Sequence, residues 1–358
     1  MRFDPERAWA RFQFTDTKRL RMYRKIAKML ANGLPLLRIL DELRLRASHN
    51  GKNNREAMVL IYDDCRQMVQ NGRMLAEALA NWVPHNEQII IMAGEQSGRL
   101  EDTLTAIINV VQATSKIRRV IMSGIAYPAA IFSLIIIYIY VFGTQVVPQF
   151  ARMVDPEKWH GSARSLYVMS ELVRHWIIPL LLLLITLVVV ILASMPRWRG
   201  NLRVMADRVT PYSIYRLLAG SSFLLAFSAL QSAGITVEKS LMRMSDAAQP
   251  WLRERLDGAL MGVKSGLNCG EALRNSGYGF PSYEVIEDLC VYAEYKGFTE
   301  ALKTLADEWI EDGVEKISAQ MKILNGFAII SLSLVLGWLV TGFFGLQQEI
   351  ANLSRSVH

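Results

Sequence analysis

The chain has 358 residues, 51% hydrophobic and 20% charged, with a formal net charge of +7. That balance is too apolar for an ordinary soluble enzyme and too charged for a many-span transporter, and it suits soluble domains joined to a few membrane spans. No RNA- or DNA-reading motif accompanies the positive charge, so no nucleic-acid partner is expected.

Residues 1–14 mix charge with Phe3, Trp9, Phe12 and Phe14, an amphipathic lead-in that either packs on the next domain or lies on a membrane surface. It lacks an apolar core of signal-peptide length, so the first domain is not expected to be exported. From Thr15 the pattern is helical, with Leu20, Tyr23, Ile26, Ala27 and Leu30 on one face and Lys18, Arg21, Arg24, Lys25 and Lys28 mostly around the other. Asn32-Gly33 supplies a left-handed stop, and Pro35 suits the first turn of a helix through Leu36, Leu37, Leu40 and Leu43. A third helix is predicted from Asn54 to Gln70, and Asn71-Gly72 turns the chain. A short fourth, through Met74, Leu75, Ala78 and Leu79, stops before Pro84. A fifth carries Ile89, Ile90, Ile91 and Met92; Gly94 and Gly98 bracket a turn, and Leu100, Leu104, Ile107, Ile108 and Val111 open a sixth.

No charge appears between Arg119 and Arg152, a run longer than the ~20 residues that cross a bilayer. No strong breaker separates it from the sixth helix, so one long helix is expected to leave a bundle at 15–118 and enter a span at 119–147. Pro128 should disturb it there, because a helix hydrogen bond is lost. A loop at 148–175, a span at 176–195, a second bundle at 196–322, a span at 323–346 and a polar tail at 347–358 follow. Phe223–Leu230 is too short to cross and is interrupted by Ser221, Ser222, Ser228 and Gln231, so it reads as a buried bundle helix. The expected fold is all-α and polytopic: two helical bundles of about six helices each and three transmembrane helices.

Lys116, Arg118, Arg119, Arg197, Arg199, Arg203, Arg208, Lys316 and Lys322 flank the spans on one side, against Arg152, Lys158, Arg164, Arg174 and Arg355 on the other. The excess favours both bundles lying in the cytoplasm, with the loop and the C-terminus on the outside, in the periplasm. Cys65, Cys269 and Cys290 are odd in number and lack zinc spacing, which fits reduced thiols in a cytosolic compartment.

The chain also repeats itself. Gly33-Leu34-Pro35-Leu36 matches Gly234-Ile235-Thr236-Val237, Gly72 with Glu77-Ala78-Leu79 matches Gly266 with Glu271-Ala272-Leu273, Glu95-x-x-Gly98 matches Glu294-x-x-Gly297, and Lys116-Ile117 matches Lys316-Ile317. Four ordered matches about 200 residues apart point to a duplicated unit.

This pattern, with Gly94-Glu95-Gln96-Ser97-Gly98-Arg99-Leu100 and Tyr127-Pro128, resembles the inner-membrane platform proteins of type IV pilus and type II secretion machines over roughly residues 20–350. The second half departs from it, with Ala293-Glu294-Tyr295-Lys296-Gly297 and with Phe327-Ala328 in place of Tyr-Pro. The short N-terminus is more similar to the type IVb pilus branch. The resemblance implies an inner-membrane scaffold without catalysis or cofactor. Its implied partners are a separate hexameric ATPase, a pilin or pseudopilin, other inner-membrane components of the machine, lipid and further copies of itself.

Catalytic signatures are wanting. Gly258–Ser265 approximates a phosphate loop, but Val263 stands where the second glycine belongs and no strand precedes it. His49, His85, His160, His175 and His358 share no metal spacing, and Asp63-Asp64 and Glu287-Asp288 read as solvated helix faces. Past Arg119 at the edge of the first, the spans hold no Asp, Glu, Lys, Arg or His, which disfavours the alternative of a transporter or channel built from repeated halves. Glu77 and Glu271 are placed to meet free N–H groups at a helix start or to contact a partner. Glu95 and Glu294 either hydrogen-bond a turn or serve as docking or ion-binding carboxylates, and Gly33, Gly98, Gly234 and Gly297 set backbone shape.

Overall fold

The computed structural model describes residues 5–49, 56–153, 155–293 and 297–356, among which every regular element is helical. The first stretch forms α1 (Pro5–Gln13), α2 (Asp16–Ala31), α3 (Leu36–Ala47), α4 (Ala57–Gln70), α5 (Leu75–Ala78) and α6 (His85–Gln96). Then come α7 (Leu100–Val141), a π-helical turn (Phe142–Val146), α8 (Val147–Ala151), a short 3-10 turn (Pro156–Lys158) and α9 (Gly161–Ser194). The rest is α10 (Asn201–Ala206), α11 (Tyr212–Ser232), α12 (Val237–Ala247), α13 (Pro250–Lys264), α14 (Cys269–Asn275), α15 (Tyr283–Tyr292) and α16 (Phe298–Ser356).

Two compact units divide the chain: Met1–Arg118 with Met195–Gly313, and Arg119–Ser194 with Val314–His358. In the first, the two repeated bundles are not separate bodies. Met22, Tyr23 and Ile26 of α2, Ile39 and Leu40 of α3, Ile61 of α4 and Leu104 of α7 form one core that also takes in Ala226 and Ala229 of α11. Two alanines on one helix face let a neighbouring helix come close, and the cores merge there. α1 packs through Ala10, and Phe14 just after it is also buried, while Trp9 and Phe12 stack on each other and stay exposed.

In the second unit, α9 buries no residue from Trp176 to its end; Ile178, Leu183 and Ile185 are each more than half exposed. Such a helix is stable only where lipid replaces water. Val147, Ala163, Leu166, Leu339 and Leu346 make a small core between α8, α9 and α16. Four helical stretches are long and apolar enough to cross a membrane: Leu100–Ala151, Gly161–Ser194, Tyr212–Ser232 and Phe298–Ala351. The third of these, α11, buries Phe223, Leu224, Phe227 and Leu230 inside the bundles, which marks it as a core helix.

Several expectations need adjusting. The stretch at 148–175, expected as a loop, is helical from Gly161, because Ala163, Leu166, Ser170 and Val173 recur at helical spacing and bury that stripe. Gly94 lies inside α6 and not in a turn. Arg203, counted above among the cations beside the spans, is fully buried. Asp63 and Asp64 are not simply solvated: Asp63 pairs with Arg44 at 2.7 Å and Asp64 with Arg7 at 3.0 Å. The expected start of the third helix, at Asn54, lies outside the described residues.

Candidate functional site

The motif glycines share one local geometry. Gly33, Gly72, Gly98, Gly234, Gly266 and Gly297 all have positive φ, between 69° and 105°. The first five end a helix in the same way: the N–H after the glycine reaches the carbonyl five residues back, as in Leu34 N–H to Met29 O (3.1 Å) and Ile235 N–H to Leu230 O (3.1 Å). This is the Schellman stop, where only glycine avoids the steric penalty of the left-handed region. The Gly33 and Gly72 stops recur at Gly234 and Gly266, so there the duplication extends to backbone conformation.

Glu95 closes a different gap. Its two carboxylate oxygens accept the N–H groups of Leu75 (2.8 Å) and Ala76 (3.1 Å), the first two of α5. Met74, at the cap position, offers no acceptor, so a carboxylate from another helix satisfies the free donors there. Glu77 does not cap. It faces outward, 3.7 Å from Arg73. In the second repeat the matching helix, α14, caps itself: Asn268 accepts from Glu271 N–H at 2.9 Å, and Glu271 accepts from Asn268 N–H at 3.1 Å. Glu294 lies outside the described residues.

The Gly94–Leu100 motif then meets the second bundle. A Cβ on Gly94 would stand 1.8 Å from Thr103 Oγ1, so the start of α7 packs directly on α6. Ser97 donates to Gly94 O at 3.2 Å, and Leu100 joins the edge of the core. Arg99 donates to Ser232 O and to Asp102 (3.0 Å), and Arg243 donates to Gln96 at 2.9 Å. Ile89 and Ala93 pack on Leu230, with Ile235 and Met244 beside them. The signature segment of the first repeat is thus seated against the Gly234 turn of the second. In the second unit, Tyr127 is exposed on α7 and Pro128 is buried within it.

Two buried ionic clusters escape a reading of the sequence alone. Glu87, 3% exposed, accepts from Tyr23 (2.7 Å) and from Arg19 (3.1 and 3.2 Å), which also reaches Asp16 (2.9 Å). Burial raises the Glu87 pKa despite the opposing pull of Arg19 and Tyr23, while Glu87 and Asp16 raise that of Arg19 against its own burial. In the second bundle Asp207 accepts from Arg203, from Arg255 at 2.6 Å and from Trp251 at 3.3 Å. The guanidinium of Arg255 lies over the Trp251 ring and that of Arg203 over Tyr212. Burial lowers the pKa of Arg255, against Asp207. The only linear hint is Arg203 and Asp207 one helical turn apart. Among the described residues no group of three or more His, Cys, Asp or Glu is placed to hold a metal ion. Cys65 and Cys269 are buried thiols, the latter pushed up to about 12 by burial.

The site is therefore made of caps and helix seats. Comparison with known proteins agrees with the duplication: the family model for type II secretion system protein F matches residues 22–148 and again residues 223–345. The chain belongs to that family. It is 21% identical over 337 residues to toxin coregulated pilus biosynthesis protein E of Vibrio cholerae, covering 93% of this chain and 97% of that protein. It is also 25% identical over 330 residues to the type IV pilus assembly protein PilC of Thermus thermophilus, covering 90% and 79%. With PilC of Pseudomonas aeruginosa it shares 29% over 158 residues, 43% of this chain and 41% of that one.

Proposed function

We propose that this family member is the inner-membrane platform of a type IV pilus machine, a scaffold that couples a cytoplasmic hexameric ATPase to extraction and polymerisation of pilin subunits. Its bundles face the cytoplasm, the 148–175 stretch and the C-terminus face the periplasm, and several copies assemble together. The names of the pilus-assembly relatives support the system. The observation that carries the coupling is α7: one helix of 42 residues whose first part, with Leu104 and Ile107, belongs to the bundle core and whose remainder is an apolar run. A continuous helix passes on displacement or torque that a loose linker would dissipate. Tyr127 and Glu77 are outward-facing motif residues, and that exposure supports a role for them in touching such partners.

Inserting a flexible Gly-Ser segment after Lys116 tests the coupling. Pilus assembly should be lost while the protein still fractionates with the membrane at its normal level; undiminished piliation would refute it.

A further inference from the structure

The two repeats carry the same groove with opposite chemistry. Aligning Gly33 with Gly234 places Lys18, Arg21, Met22 and Lys25 of α2 on Ala219, Ser222, Phe223 and Ala226 of α11, and Leu43 and Arg46 of α3 on Met244 and Ala247 of α12. Both sets line cavities. The second-repeat cavity, about 300 Å³, is apolar and closed on one side by α6 of the first bundle, through His85, Ile89 and Ile90, with Pro84 just before the helix. The first-repeat cavity, about 250 Å³, has Met22, Leu43 and Tyr62 at its floor and Lys18, Arg21, Lys25 and Arg46 around it, with Glu56 the one acid in its wall. No helix of the described residues occupies it. Lys18, Arg21 and Lys25 share one face of α2 at spacings of three and four, where like charges repel, and none of them forms an ion pair among the described residues. The exposed Arg46 pairs with the half-buried Glu42.

The counterpart of α6 is α15. Aligning Gly98 with Gly297 places Glu284 where the first repeat has His85, and Asp288 where it has Ile89. Those are two of the residues by which α6 enters its groove. Both acids are exposed on α15, between exposed Tyr283 and Val291. Neither has an ion-pair partner among the described residues, whereas the adjacent Glu287 is held by Arg274 at 2.5 Å. Within the chain an apolar helix fills an apolar groove; the helix and groove left over are acidic and basic.

We propose that the basic groove of one copy seats α15 of a second copy, with Glu284 and Asp288 entering among Lys18, Arg21 and Lys25. Copies then join head to tail by the same helix-in-groove contact that joins the two bundles inside each chain. Opposite charge sets the pairing and its register. This deepens the self-association in the function proposed above by naming its surfaces, and the test separates the surfaces from association itself.

Two differently tagged full-length copies are co-expressed in membranes in a Cys290→Ser background, which leaves only the buried Cys65 and Cys269. One carries Arg21→Cys and the other Asp288→Cys. Oxidation should link the two tags. Co-purification of otherwise unmodified tagged copies should fall at least tenfold when both carry Arg21→Glu with Lys25→Glu, and equally when both carry Glu284→Lys with Asp288→Lys. It should return when one reversed set is mixed with the other, a recovery that misfolded variants would not give. Undiminished co-purification of the reversed copies without the link would overturn the proposed surfaces while leaving self-association standing. Linkage of Arg21→Cys to a different protein, with none between copies, would overturn the second copy as occupant.

Discussion

Glu95 is the motif residue whose role is most sharply defined by its contacts. A helix as short as α5 cannot offset unsatisfied N–H groups by its own length, and Met74 supplies no acceptor. The Glu95 carboxylate satisfies two donors at once and places negative charge at the helix start. Loss of a cap costs about 0.5–2 kcal/mol. Glu95→Ala should therefore lower stability by roughly 1–2 kcal/mol. Glu95→Gln, which keeps an oxygen acceptor, should lose less, as read from thermal unfolding of the detergent-solubilised protein. Equal losses for Ala and Gln would mean that charge alone matters there. Sequence spacing could not reveal this contact. It identifies a carboxylate near a turn, but the acceptor sits 20 residues from its donor, and their meeting depends on how α5 and α6 pack.

At the scale of elements, the helix stops were legible because left-handed backbone has a letter of its own. Gly234 has φ +79°, and a Cβ added there would meet no atom within 4 Å, so replacing it tests conformation without steric clash. A left-handed non-glycine residue costs about 1–2 kcal/mol, with Asn tolerated better. Gly234→Ala should lower stability by about that amount and Gly234→Asn by less; a chemical-denaturation series giving Asn the larger loss would contradict the Schellman account. Other elements had no such letter. The 161–175 part of α9 carries Arg164, Glu171 and Arg174 on its outer face, and that mixed polarity hid a buried stripe of only Ala163, Leu166, Ser170 and Val173. The groove and its acidic counterpart were hidden differently. Lys18, Arg21 and Lys25 look like any solvated helix face, and so does Glu287-Asp288, until the repeats are laid over each other and the matching positions of α6 and α11 prove to be in contact.

For the whole molecule, the decisive feature is that two copies of one ancestral bundle share a single interior. The order of the repeats was visible in the glycines, but their fusion was not, because an apolar residue on α11 looks the same in the linear pattern whether it faces its own bundle or the other. Leu230 makes the difference measurable. It is fully buried, belongs to α11 of the second repeat, and packs on Ile89 and Ala93 of α6 in the first. Removing a buried leucine leaves a cavity and costs about 2–5 kcal/mol. If the bundles unfold as one cooperative unit, Leu230→Ala must lower the opening free energy of α6 and α4 as much as that of α12 and α13, because a shared core has one global transition. Were the bundles independent, the loss would stop at the second repeat and at the α6 surface. Hydrogen exchange of the full-length protein in detergent distinguishes the two: the expected result is a parallel loss of amide protection at Ile61 and Cys65 in α4 and at Leu256 in α13. Protection at Ile61 and Cys65 that stays at its wild-type level would show that the two bundles are merely in contact.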